Sequence, residues 1–137
     1  LKWHNITMSE NFNLEIISPD QTIIKTETKQ VTIPSFEGLM GILKDHISLV
    51  TFLRPGFIEV QTDKGSDKFF VEDGIVEFNN NHLLILSSTA INIKNLSKNQ
   101  IDKMIQDSEE IIGNKDIKDK EKYILSYKLD TLKEIRQ

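Results

Sequence analysis

The chain is 137 residues long, enough for one ordinary domain or two small ones, and its 38% hydrophobic and 28% charged residues describe a globular fold rather than a disordered one. A net charge of −4 argues against a nucleic-acid binder, and the lack of cysteine excludes disulfide staples and thiolate metal sites, leaving a reducing cytosolic compartment as the default. The longest apolar runs, such as Leu83-Leu84-Ile85-Leu86, are too short to cross a bilayer, so a role at a membrane requires a partner that carries the protein there.

Leu1–Thr7 precede Met8, and the natural start is expected at Met8-Ser9-Glu10, with no function assigned to the extension. Phe12, Leu14 and Ile16 then alternate with polar neighbours, as in a strand with one buried face. Pro19-Asp20-Gln21 turns the chain, and strand-like runs follow at Ile23–Thr28 and Val31–Ile33. Phe36-Glu37-Gly38 turns into the extended Leu39–Leu43. Pro55-Gly56 opens Phe57–Thr62, and Asp63-Lys64-Gly65 makes a hairpin into Lys68–Val71. Asp73-Gly74 turns into Ile75–Phe78, and Asn79-Asn80-Asn81 into Leu83–Leu86. Many short strands divided by tight turns predict a sandwich or flattened barrel over residues 8–93.

After Asn95 the period changes. Ile101, Met104, Ile105, Ser108, Ile111 and Ile112 share one face of a helix, which Ser97 caps and Gln100 completes as a capping box. Gly113-Asn114 is expected to stop that helix through a left-handed glycine. A second helix can start after Asp116, with Ile124, Tyr127, Thr131, Leu132 and Ile135 as its stripe and Leu125 and Leu129 broadening it. Helices of ~24 and ~30 Å joined by roughly 2–5 residues predict an antiparallel hairpin over 94–137. The fold class is therefore α+β: an N-terminal β-sandwich followed by a C-terminal two-helix hairpin. Each helix has one apolar stripe, so packing decides whether the pair is folded or extended, and that is the physical basis of a switch. Residues 115–137 carry seven basic against five acidic side chains, a charge of +2 that leaves −6 on residues 1–114 and suits an acidic partner surface.

Sites of chemistry are weakly signalled. His46 beside Asp45 lacks a nucleophile or a third orienting group and reads as a loop or interface histidine. His4, His46 and His82 have no metal-ligand spacing, and Gly38-Leu39-Met40-Gly41 lacks the Gly-Lys-Ser/Thr ending of a phosphate loop. Asn5-Ile6-Thr7 and Asn95-Leu96-Ser97 match the glycosylation pattern without a secretion signal. The first helix sets Lys98 and Lys103 against Asp102, Asp107, Glu109 and Glu110, which an anionic lipid surface would repel. The rivals to a mechanical role are a small ligand-binding or enzymatic β-domain with a helical lid, which needs a pocket of convergent polar groups, and a generic adaptor.

The segment Glu37-Gly38-Leu39-Met40-Gly41-Ile42-Leu43-Lys44-Asp45-His46-Ile47-Ser48-Leu49-Val50-Thr51 resembles the signature loop of the epsilon subunits of F-type rotary ATP synthases. Arg54-Pro55-Gly56, Asp73-Gly74-Ile75-Val76-Glu77, Ser88-Thr89-Ala90 and the opening Phe12–Pro19 are similar to further family segments in the same order, so the likeness covers nearly all of residues 10–137. It implies a non-catalytic subunit that binds the gamma coiled coil and the polar loops of the membrane c ring. It also implies a hairpin that can extend into the alpha/beta catalytic head and block ATP hydrolysis. The complex would place it peripherally, on the cytoplasmic face of the inner membrane of a bacterium, with a proton-driven motor. Glu37, Leu39, Asp45 and His46 are the implied ring contacts. Leu39 stands where an acidic residue is common, and Ser48 where proline is common. The implied inhibitory cations are Lys122, Lys128, Lys133 and Arg136. Some relatives bind ATP through Ile/Leu-Asp-x-x-Arg-Ala, but here Leu96-Ser97-Lys98-Asn99-Gln100-Ile101 puts Ser97 and Gln100 in place of the Asp and Arg, so no cofactor is expected.

Overall fold

Alternating apolar and polar side chains set the strands, and a computed structural model describes residues 10–136 of the chain. The expected extension Leu1–Thr7, His4, Asn5-Ile6-Thr7 and the start at Met8 lie outside the described residues. The strands are β1 (Phe12–Ile17), β2 (Thr22–Thr28), β3 (Gln30–Ser35), β4 (Gly38–Leu43) and β5 (Leu49–Leu53), then β6 (Gly56–Thr62), β7 (Gly65–Val71), β8 (Gly74–Asn79), β9 (His82–Leu86) and β10 (Ile91–Asn92). They hydrogen-bond in the order β10-β7-β6-β3-β5-β8-β9-β1-β2, with β4 on β3 off that path. The β1–β9 pair is parallel, with Asn13 opposite His82, and the other pairs are antiparallel. The Thr28 hydroxyl donates to the Gln61 carbonyl at 2.7 Å and ties the end of β2 to β6, so the sheet folds back into a flattened barrel.

The barrel encloses one apolar core. Leu14 and Ile16 of β1 meet Val31, Ile33, Val76 and Ile85, all fully buried, and Phe12 packs edge-on to Phe78 at 5.6 Å between ring centres. A second core lies outside the barrel: Phe70, Ile101, Ile105, Leu129 and Leu132. Among its fully buried members Phe70 alone comes from a strand. Phe69 and Val71 point into the barrel while Phe70 points out beneath the helices, so β7 is buried on three successive residues.

The helices are α1 (Lys98–Ile112) and α2 (Asp119–Arg136). The Ser97 hydroxyl accepts from the Gln100 N–H at 3.1 Å and the Gln100 carboxamide oxygen accepts from the Ser97 N–H at 2.8 Å, the capping box the sequence predicts. Gly113 departs from its expected left-handed state. Its φ of −81° and ψ of −6° are right-handed, because its N–H still donates to the Glu109 carbonyl at 3.1 Å and the winding continues to Asn114. The connection then runs Gly113–Lys118, six residues rather than two to five. Asp119 and Glu121 sit in the first turn of α2 and Lys133 and Arg136 in the last, each sign matched to the helix dipole.

The second stripe is covered unevenly, most deeply in its C-terminal half. Leu129, Thr131 and Leu132 are buried, whereas Ile124, Leu125 and Tyr127 are half-buried and Ile111 of α1 is exposed. Strand β5 was not expected from the sequence, because Leu49-Val50-Thr51-Phe52-Leu53 shows no alternation: Val50 and Phe52 are apolar yet face outward.

Two cores predict two responses. Ile85→Ala should lower the unfolding free energy by about 2–5 kcal/mol in a denaturant titration. Leu132→Ala should speed amide exchange throughout α1 and α2 while β1, β8 and β9 stay protected; loss of protection in both regions would join the cores into one.

Candidate interaction surfaces

Residues 36–52 hold six of the ten large apolar side chains that are exposed among the described residues: Phe36, Leu39, Leu43, Ile47, Val50 and Phe52. Leu39 and Ile47 are 72% and 78% exposed. Such density of exposed apolar side chains on one stretch makes it a candidate contact surface.

The four expected ring-contact residues do not form one cluster. Glu37 caps one end of β4 and Asp45 and His46 follow the other, with about 20 Å of strand between them. At the Glu37 end, the Ser35 hydroxyl donates to the Gly38 carbonyl at 2.7 Å and accepts from the Glu37 N–H at 3.3 Å, holding a turn in which Gly38 takes φ +125°. Glu37 and Leu39 are exposed there beside Phe36. At the far end, Asp45 adopts φ +66° and Asn81 φ +59°, which Asp and Asn tolerate better than most residues. The two are reciprocally bonded. The Asp45 N–H donates to Asn81 Oδ1 at 2.7 Å, and Asn81 Nδ2 donates to Asp45 Oδ1 at 3.0 Å. His46 lies edge-on to Phe78 at 6.0 Å, with Nδ1 2.8 Å from the Ile47 carbonyl. The Asp45 carboxylate and the His46 ring thus each have a structural partner and do not face one another as an acid–base pair. His82 Nε2 pairs with Glu15 at 2.9 Å across the β1–β9 ladder. Among the described residues no three His, Cys, Asp or Glu side chains converge as a metal site.

A second surface lies between the barrel and α2. Phe52, Ile75 and Leu86 stand opposite one another across β5, β8 and β9, and Ile17 follows on β1. They floor an open groove of about 850 Å³ whose other wall is Ile124 and Leu125 of α2, with Glu72, Asp73 and Lys128 at its rim. Gly74, at φ +156°, brings β8 so close to β9 that a Cβ would sit 2.8 Å from the Leu86 carbonyl oxygen.

The four expected basic residues of α2 differ in their engagement. Lys122 and Arg136 are exposed, Lys133 lies 3.8 Å from Glu109 of α1, and Lys128 pairs with Glu72 of the barrel at 2.7 Å. Beside Lys128, the Arg54 guanidinium lies 4.1 Å over the Tyr127 ring, and the Tyr127 hydroxyl bonds the Tyr123 hydroxyl at 2.7 Å. That bond holds the Tyr123 phenol above its ordinary pKa. Sequence reading missed Arg54, Phe70 and Glu72 as contacts of the hairpin. For Phe70 a signal existed: Phe69-Phe70-Val71 breaks alternation, as a strand covered on both faces does.

Asn81→Ala should loosen the Asp45–Ser48 turn without unfolding the barrel. The check is amide exchange, where faster exchange confined to residues 44–48 and 79–82 is expected, and unchanged exchange would show that the side-chain bonds do not hold the turn.

The family described as "ATP synthase, Delta/Epsilon chain, beta-sandwich domain" matches residues 11–93. An ATP synthase epsilon chain of Pelagibacter ubique is 46% identical over 127 residues, covering 92% of this chain and 98% of that one. One of Parvibaculum lavamentivorans is 31% identical over 130 residues, covering 94% and 98%. Among solved structures, a chain of the Euglena gracilis mitochondrial ATP synthase superposes with a TM-score of 0.72 at 20% identity, over 90% of this chain and 78% of that chain. One from the central stalk and c ring of the Tetrahymena thermophila mitochondrial enzyme gives 0.62 at 13% identity, over 91% and 96%, so these two likenesses speak to the fold alone.

Proposed function

The chain belongs to the ATP synthase epsilon-chain family of non-catalytic subunits, and from that premise we propose that it is a rotor part of the central stalk in a proton-translocating F-type complex. The barrel couples the gamma subunit to the ring of c subunits, and the hairpin is a brake on ATP hydrolysis in the alpha/beta head. The protein sits on the cytoplasmic face of the inner membrane through the complex; no described helix is long and apolar enough to cross a membrane.

The observation that carries this reading is the division of the molecule into two cores. A barrel with its own interior can transmit torque while the hairpin moves, because α1 and α2 bury their apolar faces chiefly on each other and meet the barrel through a small apolar contact at Phe70 and Ile91 and through the side chains of Arg54 and Glu72. The exposed apolar side chains of residues 36–52 supply the contact surface for gamma and the ring, with Glu37 and Leu39 at one end of β4 and Asp45 and His46 at the other. Lys122 and Arg136 are free to meet an acidic partner while the hairpin is folded, whereas Lys128 and Lys133 must first leave Glu72 and Glu109.

ATP recognition by the hairpin is weak or absent. Ser97 and Gln100 satisfy each other as the cap of α1, and neither offers the charge that a phosphate needs. Isothermal titration of the full chain with ATP should give no micromolar binding, and micromolar affinity would sink this part of the reading.

A truncation after Ile93 should fold, bind gamma and keep coupling, but lose the inhibition of hydrolysis. Removing the hairpin bares Phe70, so the truncated protein should be prone to association, and Phe70→Thr in the same background should relieve it. Failure of the soluble truncated protein to bind gamma would refute the assignment of coupling to the barrel.

A further inference from the structure

Beside the apolar contact at Phe70 and the groove under Ile124 and Leu125, the seam between α2 and the barrel carries charged side chains. Lys128 Nζ lies 2.7 Å from Glu72 Oε1, with only 19% and 34% of the two side chains exposed, so the pair is less screened than an ion pair on open surface. The preceding residue, Tyr127, takes the Arg54 guanidinium on its ring, and Arg54 Nη1 is itself anchored by the Pro55 carbonyl at 2.9 Å. Asp130 and Glu134 face the same crevice as Arg54 and Lys68.

The backbone on the barrel side of this seam is held by hydrogen bonds. The Thr89 hydroxyl accepts the N–H of Glu72 at 2.9 Å and lies 3.4 Å from the N–H of Asp73, and the Ser87 hydroxyl donates to the Asp73 carbonyl at 2.7 Å. The backbone of Glu72 is therefore fixed by the barrel itself, and only the rotamers of the Glu72 and Lys128 side chains remain to be ordered when the two pair.

We infer that Glu72 and Arg54 form a latch that sets how often the hairpin leaves the barrel, and that Glu72 masks Lys128 while the latch is closed. The inference rests on the proposed brake and deepens it. An ammonium in a close pair with Glu72 is not free for an acidic segment of the catalytic head, so barrel and head compete for one cation. The barrel thereby regulates its own inhibitory arm through a residue on the β7–β8 turn. Arg54 adds a grip on the neighbouring side chain, so opening requires residues 127 and 128 to let go together.

Amide exchange of α1 and α2 in the full-length protein reads the latch directly. Glu72→Gln and Lys128→Gln should each raise hairpin exchange about 3–10-fold, and the double variant should rise no further than either single one, because the two share one interaction. Arg54→Gln should raise exchange independently of both. In the assembled complex, E72Q should slow ATP hydrolysis several-fold against the native chain, while K128Q, though equally open, should not. Unchanged exchange in E72Q, or additive effects of E72Q and K128Q, would overturn the latch. Inhibition by K128Q as strong as by E72Q would overturn the masking of Lys128. Coupled exchange with hydrolysis indifferent to every variant would uphold the latch and discard the brake reading instead.

Discussion

The apolar seat of the helices on the barrel centres on one aromatic side chain that faces the wrong way for a simple sandwich. Phe70 stands on β7 between two residues that fill the barrel, and it must be covered from outside. Burial of a ring of that size is favourable by roughly 1.5–3 kcal/mol relative to exposure, enough to seat two amphipathic helices that are marginal alone, yet small against the barrel's own interior. The hairpin is thus attached to the barrel without becoming part of it. A larger apolar joint would fix the helices permanently, and none at all would leave them unpaired with any surface.

The strand-then-helix order and most strand positions were legible in the residues, since alternation and turn chemistry are local properties. Phe12-Asn13-Leu14-Glu15-Ile16 states its buried face, and Ser97 with Gln100 states a helix start. What escaped reading is what the partner side decides. Val50 and Phe52 are apolar yet exposed, so β5 carries no alternation to find. Gly113 was read as a left-handed stop from its type alone, but whether the last turn winds on is settled by the length of the connection that follows. Which part of the α2 stripe lies deepest has the same origin: Leu129 and Leu132 share a core with Phe70, some sixty residues earlier in the chain.

The interaction surfaces were only half legible. The segment 36–52 stands out in the sequence, but its fold as a strand puts Glu37 and His46 at opposite ends, a separation that chain proximity conceals. The Glu72–Lys128 pair joins residues that no pattern links. Neither belongs to a motif, and only the path of the chain brings them together. The acidic barrel and the more basic tail are visible in composition, so their attraction can be anticipated while its pairs cannot.

The parallel pairing of β1 with β9 has a consequence for the order of events during synthesis. β1 can zip with β2 as soon as both have left the ribosome, but its other edge waits for a strand roughly 70 residues later. Until β9 emerges, Leu14 and Ile16 lie on a hairpin too small to hide them, a state that favours chaperone capture. Closure of that long loop completes the barrel within a few residues of the helical tail. Docking of the helices onto Phe70 then needs a body whose strands are already paired.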